Sequence, residues 1–238
     1  LEEKVAQLHQ VDGGKGFDRS QLERAEIGTM LNAGGENAGA EGSESMRASA
    51  VNALQRQAVE DTRLGIPLIV ARDVIHGYRT VFPIPLGQAA TWSPAMIEAG
   101  AEVAAREATA VGLRWTFTPM VDVSRDARWG RIAESFGEDP WLSGRLAVAA
   151  VKGYQGEDMS HPERMAACLK HFAGYAGAEG GRDYWEVHVG EREMRDVYLP
   201  PFETAVAAGA ATVMSAFHVN DGIPASGDRH LMTDILKK

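Results

Sequence analysis

The stretch 68–77, LIVARDVIHG, decides the fold class of this chain. Four apolar or small residues lead into Arg72, Asp73 and His76, which is typical of a buried strand that ends in a polar loop. Similar short runs recur along the chain. They predict strands at residues 27–31, 68–72, 115–118, 166–172 and 211–217.

Helical patterns separate the predicted strands. Ser93 and Asp139 are each followed by proline, which predicts a helix that starts with an N-cap and then Pro94 or Pro140. Further helices are predicted at residues 191–198, 202–208 and 228–238. Alternation of strands and helices predicts a parallel sheet covered by helices.

The strand starts lie roughly 40 to 50 residues apart, while a complete eight-stranded barrel of strands and helices needs about 250 residues or more. We therefore predict an α/β fold of the (β/α)8 TIM-barrel type that is incomplete, with about five β/α units in one continuous domain over residues 1–238. The chain begins at Leu1 without a methionine, so we expect the natural N-terminus to lie further upstream.

The composition excludes several classes of function. The chain has 24 Lys and Arg against 33 Asp and Glu, a net charge of -9, which disfavours binding to nucleic acid or to anionic lipid. No apolar run approaches the ~20 residues that cross a bilayer, so no membrane partner is predicted. Cys168, the single cysteine, cannot form an intramolecular disulfide or a cysteine-based zinc site, and the histidines lack metal-ligand spacing.

Polar residues follow the predicted strands at the edge where parallel α/β folds place their sites. Asp73 ends one strand, residues 122–131 follow the next, and Lys170 and His171 lie at the end of a third. Carboxylate, guanidinium, ammonium and imidazole groups together can hold a polyhydroxylated ring. A phosphate site is disfavoured because the glycine-rich run 177–181 lacks the Lys-Ser/Thr of a phosphate-binding loop.

Several blocks of sequence resemble glycoside hydrolase family 3, in particular its bacterial β-glucosidases and β-xylosidases. They follow one another in the order of that family and span nearly the whole chain. The blocks are EEK at 2–4 with QL at 7–8, DVIHGYRT at 73–80 with FP at 82–83, RWGR at 128–131 with ESFGEDP at 134–140, KHF at 170–172, EGGR at 179–182 and YLPPF at 198–202.

The resemblance implies a role for six residues in substrate binding. Asp73 accepts hydrogen bonds from the outer hydroxyls of a terminal sugar, and three cationic or imidazole groups hold the others. Arg79 stands where a further arginine supports the site, and Phe217 where the family has tyrosine, so the ring is kept and the hydroxyl lost. The implied substrate-binding residues are Asp73, Arg79, Arg131, Lys170, His171 and Phe217.

The implied activity is retaining, exo-acting hydrolysis of terminal non-reducing β-D-glucosyl residues, without cofactor or metal. Its substrates are β-linked gluco- or xylo-oligosaccharides or aryl glycosides. In the family the nucleophilic aspartate and the acid/base glutamate follow the segment that ends here at Lys238, so we predict that this chain supplies no catalytic carboxylate and shows no turnover alone. A β-xylosidase and a catalytically inactive sugar-binding fragment are the alternatives, and the oligomeric state is left open.

Some residues carry a second interpretation. Arg131 also fits an internal ion pair with Glu134 or Glu138, and His76 and Asp122 fit a role in shaping loops. Lys170 and His171 are neighbours, and neighbours on a regular strand point to opposite faces. Because the resemblance requires both in the site, we predict an irregular backbone there, with a non-proline cis peptide bond beside Lys170, His171 or Phe172.

Overall fold

The computed structural model describes residues 2–13, 18–33 and 47–238. The strands in these ranges are β1 Gln10–Asp12, β2 Thr29–Leu31, β3 Ile69–Arg72, β4 Trp115–Thr116, β5 Cys168–Phe172, β6 Thr212–Ser215, β7 Val219–Asn220 and β8 Ile223–Pro224. The α-helices are α1 Glu2–Ala6, α2 Arg19–Glu23, α3 Ala48–Glu60, α4 Pro85–Ala89, α5 Pro94–Thr109, α6 Pro140–Gln155, α7 Glu191–Glu193 and α8 Pro200–Ala207.

The first six strands are parallel and stand side by side in chain order. β1 to β4 form one sheet and β5 pairs with β6. Two isolated bridges, Trp115 with Ala166 and Met120 with Lys170, connect the two groups. This arrangement confirms the predicted incomplete TIM-barrel-like α/β fold, since the strands in the part of the chain that is described do not close into a barrel.

All five predicted strands are present, and the structure adds three. β1 was missed because three residues, QVD, contain no apolar run, and its register with β2 supplies the pairing that the sequence does not show. β7 and β8 form a short antiparallel hairpin after β6. The sequence therefore underestimated the number of strands, but it predicted the five parallel strands β2 to β6 in their order.

Helices α5 and α6 begin as predicted and pack against each other. The Ser93 hydroxyl accepts a hydrogen bond from the backbone N–H of Met96 at 3.4 Å, and the Asp139 carboxylate accepts one from Leu142 at 2.7 Å. Each cap satisfies a backbone donor that the first helical turn leaves free. In the described ranges no helix combines the length and apolar character that crossing a bilayer requires.

The predicted helix at 191–198 forms, but most of it has π-type hydrogen bonding, over Met194–Tyr198. The next helix, α8, begins at Pro200, two residues before the predicted start, because the two prolines occupy its first turn, where no backbone N–H is required. The last predicted helix is a π-type segment over His230–Ile235. Its N-cap position is Arg229 and not the predicted Asp228, whose carboxylate nevertheless accepts from the backbone N–H of His230 at 2.8 Å.

Gly153 sets the distance between α5 and α6. A Cβ at this position lies within 2.6 Å of the Ala101 Cβ and closer still to the Glu98 carbonyl oxygen. We predict that Gly153→Ala lowers the free energy of unfolding by about 1–3 kcal/mol, because the helices must separate. Urea unfolding measures this change. Gly227→Ala, where no atom lies within 4 Å of the added Cβ, is the control, and equal losses in both variants would contradict the close approach.

Candidate functional site

Two residues from distant parts of the chain meet where β3 and β5 end. The Lys170 ammonium lies 2.6 Å from Asp73 Oδ1 and 3.8 Å from Glu134 Oε2. The Lys170 side chain is 4% exposed, whereas that of Asp73 is 45% exposed. Lys170 therefore neutralises the carboxylate from beneath, and the exposed part of Asp73 remains open to a ligand.

The backbone beside Asp73 is fixed from two sides. The Tyr154 hydroxyl on α6 donates to the carbonyl oxygen of Val74 at 2.7 Å, and the Val74 N–H donates to Thr116 Oγ1 on β4 at 3.1 Å. Tyr154, Val74 and Thr116 are all buried. Buried hydrogen bonds of this kind hold a loop in one position, so Asp73 is presented by a rigid support.

Arg131 forms a bidentate ion pair with Glu134 within the short helical segment Gly130–Glu134. Its Nε lies 2.8 Å from Oε1, and a terminal nitrogen lies 3.0 Å from Oε2. Burial acts to raise the pKa of Glu134, but the hydrogen bonds and charge of Arg131, with Lys170 nearby, outweigh burial and lower it. Glu134 is therefore ionised at neutral pH and links the two cations of the site.

Glu134 is one of the two ion-pair partners that the sequence predicted for Arg131. Glu138, the other, is exposed. The Arg131 guanidinium also lies over the Tyr175 ring, 5.7 Å from its centroid. Arg131 thus has two partners within the chain, Glu134 and the Tyr175 ring. Glu134 also pairs with Lys170, so the two cations share one carboxylate.

The backbone that carries Lys170 and His171 is irregular, as predicted. The peptide bonds Lys170–His171 and Phe172–Ala173 are both cis. The pairing of β5 with β6 shifts between Leu169 and Phe172. Lys170 contacts Asp73, and His171 contacts Asp122 with its Nδ1 2.8 Å from Oδ2, so both neighbours reach carboxylates in the loops that follow β3 and β4.

Aromatic rings line one side of this cluster. Phe217 lies 5.3 Å from the His171 ring, 5.7 Å from Tyr175 and 5.6 Å from Tyr184, measured between centroids. Phe217 is 53% exposed. Exposed rings beside hydrogen-bonding groups are suited to the apolar faces of a sugar.

Tyr175 and Asp183 belong to the cluster but were missed by the sequence analysis. The Tyr175 hydroxyl donates to Asp183 Oδ1 at 2.5 Å, and Trp129 Nε1 donates to the same oxygen at 3.0 Å. Burial acts to raise the pKa of Asp183, and these two hydrogen bonds outweigh it and lower the pKa. Their position next to the recognised 170–172 and 179–182 blocks was the available signal.

Arg79 is the predicted site residue that the structure does not join to the others. The backbone N–H groups of Arg79 and Thr80 donate to Glu107 Oε2 on α5, each at 2.8 Å. Within the described ranges, its guanidinium forms no hydrogen bond or ion pair with the other predicted residues. His76 is likewise a loop residue, with Nδ1 2.8 Å from the Phe82 carbonyl oxygen.

The arrangement offers hydrogen-bonding groups of both polarities around one exposed carboxylate. Across residues 2–13, 18–33 and 47–238, no three His, Cys, Asp or Glu side chains are grouped so as to hold a metal ion. Asp73, Glu134, Asp122 and Asp183 each accept a hydrogen bond from a neighbouring side chain. The chemistry that fits is binding of a neutral, polyhydroxylated ligand.

Comparison with known proteins identifies the family. The profile described as "Glycosyl hydrolase family 3 N terminal domain" matches residues 1–238. The chain belongs to glycosyl hydrolase family 3. The resemblance inferred from the sequence blocks is therefore confirmed.

Relatives of this family 3 chain include a Salmonella typhimurium protein named "Periplasmic beta-glucosidase", 35% identical over 100% of this chain and 30% of the relative. A "Beta-xylosidase" of Formosa agariphila is 38% identical over 77% of this chain and 27% of its own length. The structure of a β-glucosidase from Listeria innocua in complex with isofagomine superposes with a TM-score of 0.88 at 41% identity, covering 99% of this chain and 33% of that one. The chain thus spans about a third of the length of such relatives.

His218 is a buried histidine next to the site, and burial lowers its pKa to about 4 from a usual 6.5. A folded-state pKa below the unfolded one means that the unfolded chain binds more protons between these values. We predict that stability falls by up to about 3 kcal/mol as the pH drops from 6.5 to 4, and that His218→Phe removes this part of the loss.

Urea unfolding across this pH range tests the prediction. His161→Phe, at an exposed histidine, is the control and should leave the pH dependence unchanged. The prediction is wrong if His218→Phe and wild type lose stability in parallel as the pH falls.

Proposed function

We propose that this chain supplies the sugar-holding part of a retaining, exo-acting β-glucosidase, which removes terminal non-reducing β-D-glucosyl residues. The observation that carries the proposal is the exposed Asp73 carboxylate held by the buried Lys170 ammonium at 2.6 Å, with Glu134 and Arg131 adjoining. A carboxylate accepts hydrogen bonds from two sugar hydroxyls at once, and the cations donate to hydroxyl oxygens.

The proposal divides the work between binding and bond cleavage. A retaining glycosidase needs one carboxylate that attacks the anomeric carbon and one carboxylic acid that protonates the leaving oxygen. The lowered pKa of Glu134 and of Asp183 keeps both ionised at neutral pH, which disfavours either as a proton donor. We therefore propose that these residues hold the sugar, while attack and proton donation fall to other parts of the whole protein.

One feature supports a sugar as the ligand, and a second supports glucose in particular. Asp73, Arg131, Lys170 and His171 lie in one cluster together with an aromatic wall, which suits a ring that carries hydroxyls at several positions. The relatives from Salmonella typhimurium and Listeria innocua are both named β-glucosidases. The four predicted ligands act together in this proposal, whereas Arg79, whose backbone N–H donates to Glu107, is not assigned a sugar contact.

A β-xylosidase is the second candidate, because a Formosa agariphila relative named "Beta-xylosidase" is 38% identical over 197 residues. Xylose lacks the hydroxymethyl group of glucose but keeps the ring hydroxyls. A site that holds the ring hydroxyls through carboxylate and ammonium therefore accepts both, and the discrimination rests on contacts around the hydroxymethyl group.

Hydrolysis of aryl glycosides by the whole protein tests the proposal. We expect release of nitrophenol from an aryl β-glucoside to exceed release from the β-xyloside, with the β-anomer of glucose as the first product. The reverse preference would favour the xylosidase. The 238-residue chain alone is expected to bind glucose without turnover, and steady nitrophenol release by it would contradict the division of labour.

A further inference from the structure

The loop after β4 places a single carboxylate oxygen against two donors of His171. Asp122 Oδ2 accepts the backbone N–H of His171 at 3.0 Å and lies 2.8 Å from the ring nitrogen Nδ1. Both residues are buried, with exposures of 2% and 1%. A carboxylate oxygen only accepts hydrogen bonds, so the hydrogen of a neutral His171 ring lies on Nδ1.

The other ring nitrogen, Nε2, faces a different environment. No hydrogen bond to Nε2 is present in the described part of the chain, whereas Nδ1 is held by Asp122. The ring is held by Tyr175 at 5.2 Å and Phe217 at 5.3 Å between centroids. With its hydrogen on Nδ1, the ring presents a lone pair at Nε2.

We propose that Asp122 is a positioning residue that holds His171 in the tautomer with hydrogen on Nδ1. In that tautomer Nε2 accepts a hydrogen bond from a sugar hydroxyl. This part of the inference rests on the proposed function. Asp122 does not itself contact the sugar. Lys170, the next residue, donates to hydroxyl oxygens, so the adjacent pair offers one donor and one acceptor to the ring.

Asp122 Oδ2 contacts both the backbone N–H and the ring Nδ1 of His171, so Asp122→Asn and Asp122→Ala should have different effects on the tautomer. In Asp122→Asn the backbone N–H of His171 still requires an acceptor, so the amide oxygen takes the place of Oδ2 and also accepts from Nδ1. The tautomer is then retained. In Asp122→Ala both contacts are lost, and either ring nitrogen can carry the hydrogen.

NMR spectra of the chain, labelled with nitrogen-15 in its histidine rings, report the tautomer directly and require no ligand. His171→Phe assigns the signal. We expect wild type and Asp122→Asn to carry hydrogen on Nδ1 and Asp122→Ala to show a mixture. Asp126→Asn is the control, because Asp126 is a partly exposed carboxylate in the same loop that pairs with Arg128, and its substitution should leave the signal unchanged. Hydrogen on Nε2 in the wild type would overturn the proposal whether or not the variants fold.

A titration with glucose supplies the second readout. We expect Asp122→Ala to weaken glucose binding by about tenfold and Asp122→Asn by less than about threefold, since one hydrogen bond to the sugar is affected. A folded Asp122→Ala chain with unchanged tautomer and affinity would overturn the proposal. Wild type that binds no glucose would contradict the proposed function, while the nitrogen spectra would still decide whether Asp122 sets the tautomer.

Discussion

Replacing Asp73 by asparagine is expected to weaken glucose binding by about two orders of magnitude, because two hydrogen bonds to a charged acceptor are weakened together. The side chain keeps its size, and Lys170 keeps Glu134 as a partner at 3.8 Å. Because the amide oxygen still accepts a hydrogen bond from Lys170 but carries no charge, the free energy of unfolding should fall by about 1–3 kcal/mol. Isothermal titration with glucose and urea unfolding of the same sample measure the two effects separately.

The matched control for this prediction is Asp126→Asn. Asp126 is paired with Arg128 at 2.7 Å on the surface and has no contact with Lys170 or His171. Its substitution should leave glucose affinity unchanged. Equal affinity of the Asp73 and Asp126 variants would show that the exposed carboxylate of the cluster does not hold the sugar.

The largest expected effect on stability follows from removing Glu134. Arg131 and Lys170 are largely buried cations, and both lie against this one carboxylate. Glu134→Ala leaves Arg131 without a carboxylate partner, with only the Tyr175 ring beside it, and leaves Lys170 with Asp73 alone. We predict a loss of about 3–5 kcal/mol in the free energy of unfolding, because a buried charge without its partner costs more than the pair contributes.

Glu138→Ala is the comparison for this loss, because Glu138 lies four residues away and is exposed. Its effect should stay within about 0.5 kcal/mol in the same urea experiment. The pH dependence of the free energy of unfolding is a second test of the contribution of Glu134. The folded-state pKa of Glu134 is lowered from its usual 4.5, so its contribution is present above that value and is lost as the pH falls through the lower folded-state pKa. A Glu134→Ala variant as stable as Glu138→Ala would contradict the role of the shared carboxylate.

The sequence was sufficient for the parts of the fold that local chemistry determines. The pairs Ser93 with Pro94 and Asp139 with Pro140 fixed the starts of α5 and α6, since a capping side chain and a proline act within one turn. β1 was not predicted because its formation depends on pairing with β2 and not on its own three residues. Pairing between distant segments leaves little trace in a short sequence window.

The same distinction separates the site residues. Asp73, Lys170, His171 and Arg131 were predicted as site residues because they lie in long recognisable blocks, and the structure brings them into one cluster. Arg79 lies in such a block too, yet its loop is held by Glu107, a residue of α5 that the sequence did not connect with it. The roles of Glu134 and Asp122 depend on distances across the sheet, which no spacing along the chain encodes.

A crystal structure of the chain soaked with glucose tests the central claim most directly. We predict the sugar at the carboxyl ends of β3 and β5, with two hydroxyls donating to Asp73, one hydroxyl oxygen accepting from Lys170 Nζ, and one hydroxyl donating to His171 Nε2. Glucose bound elsewhere on the chain, with the Asp73 carboxylate free of sugar contacts, would contradict the account.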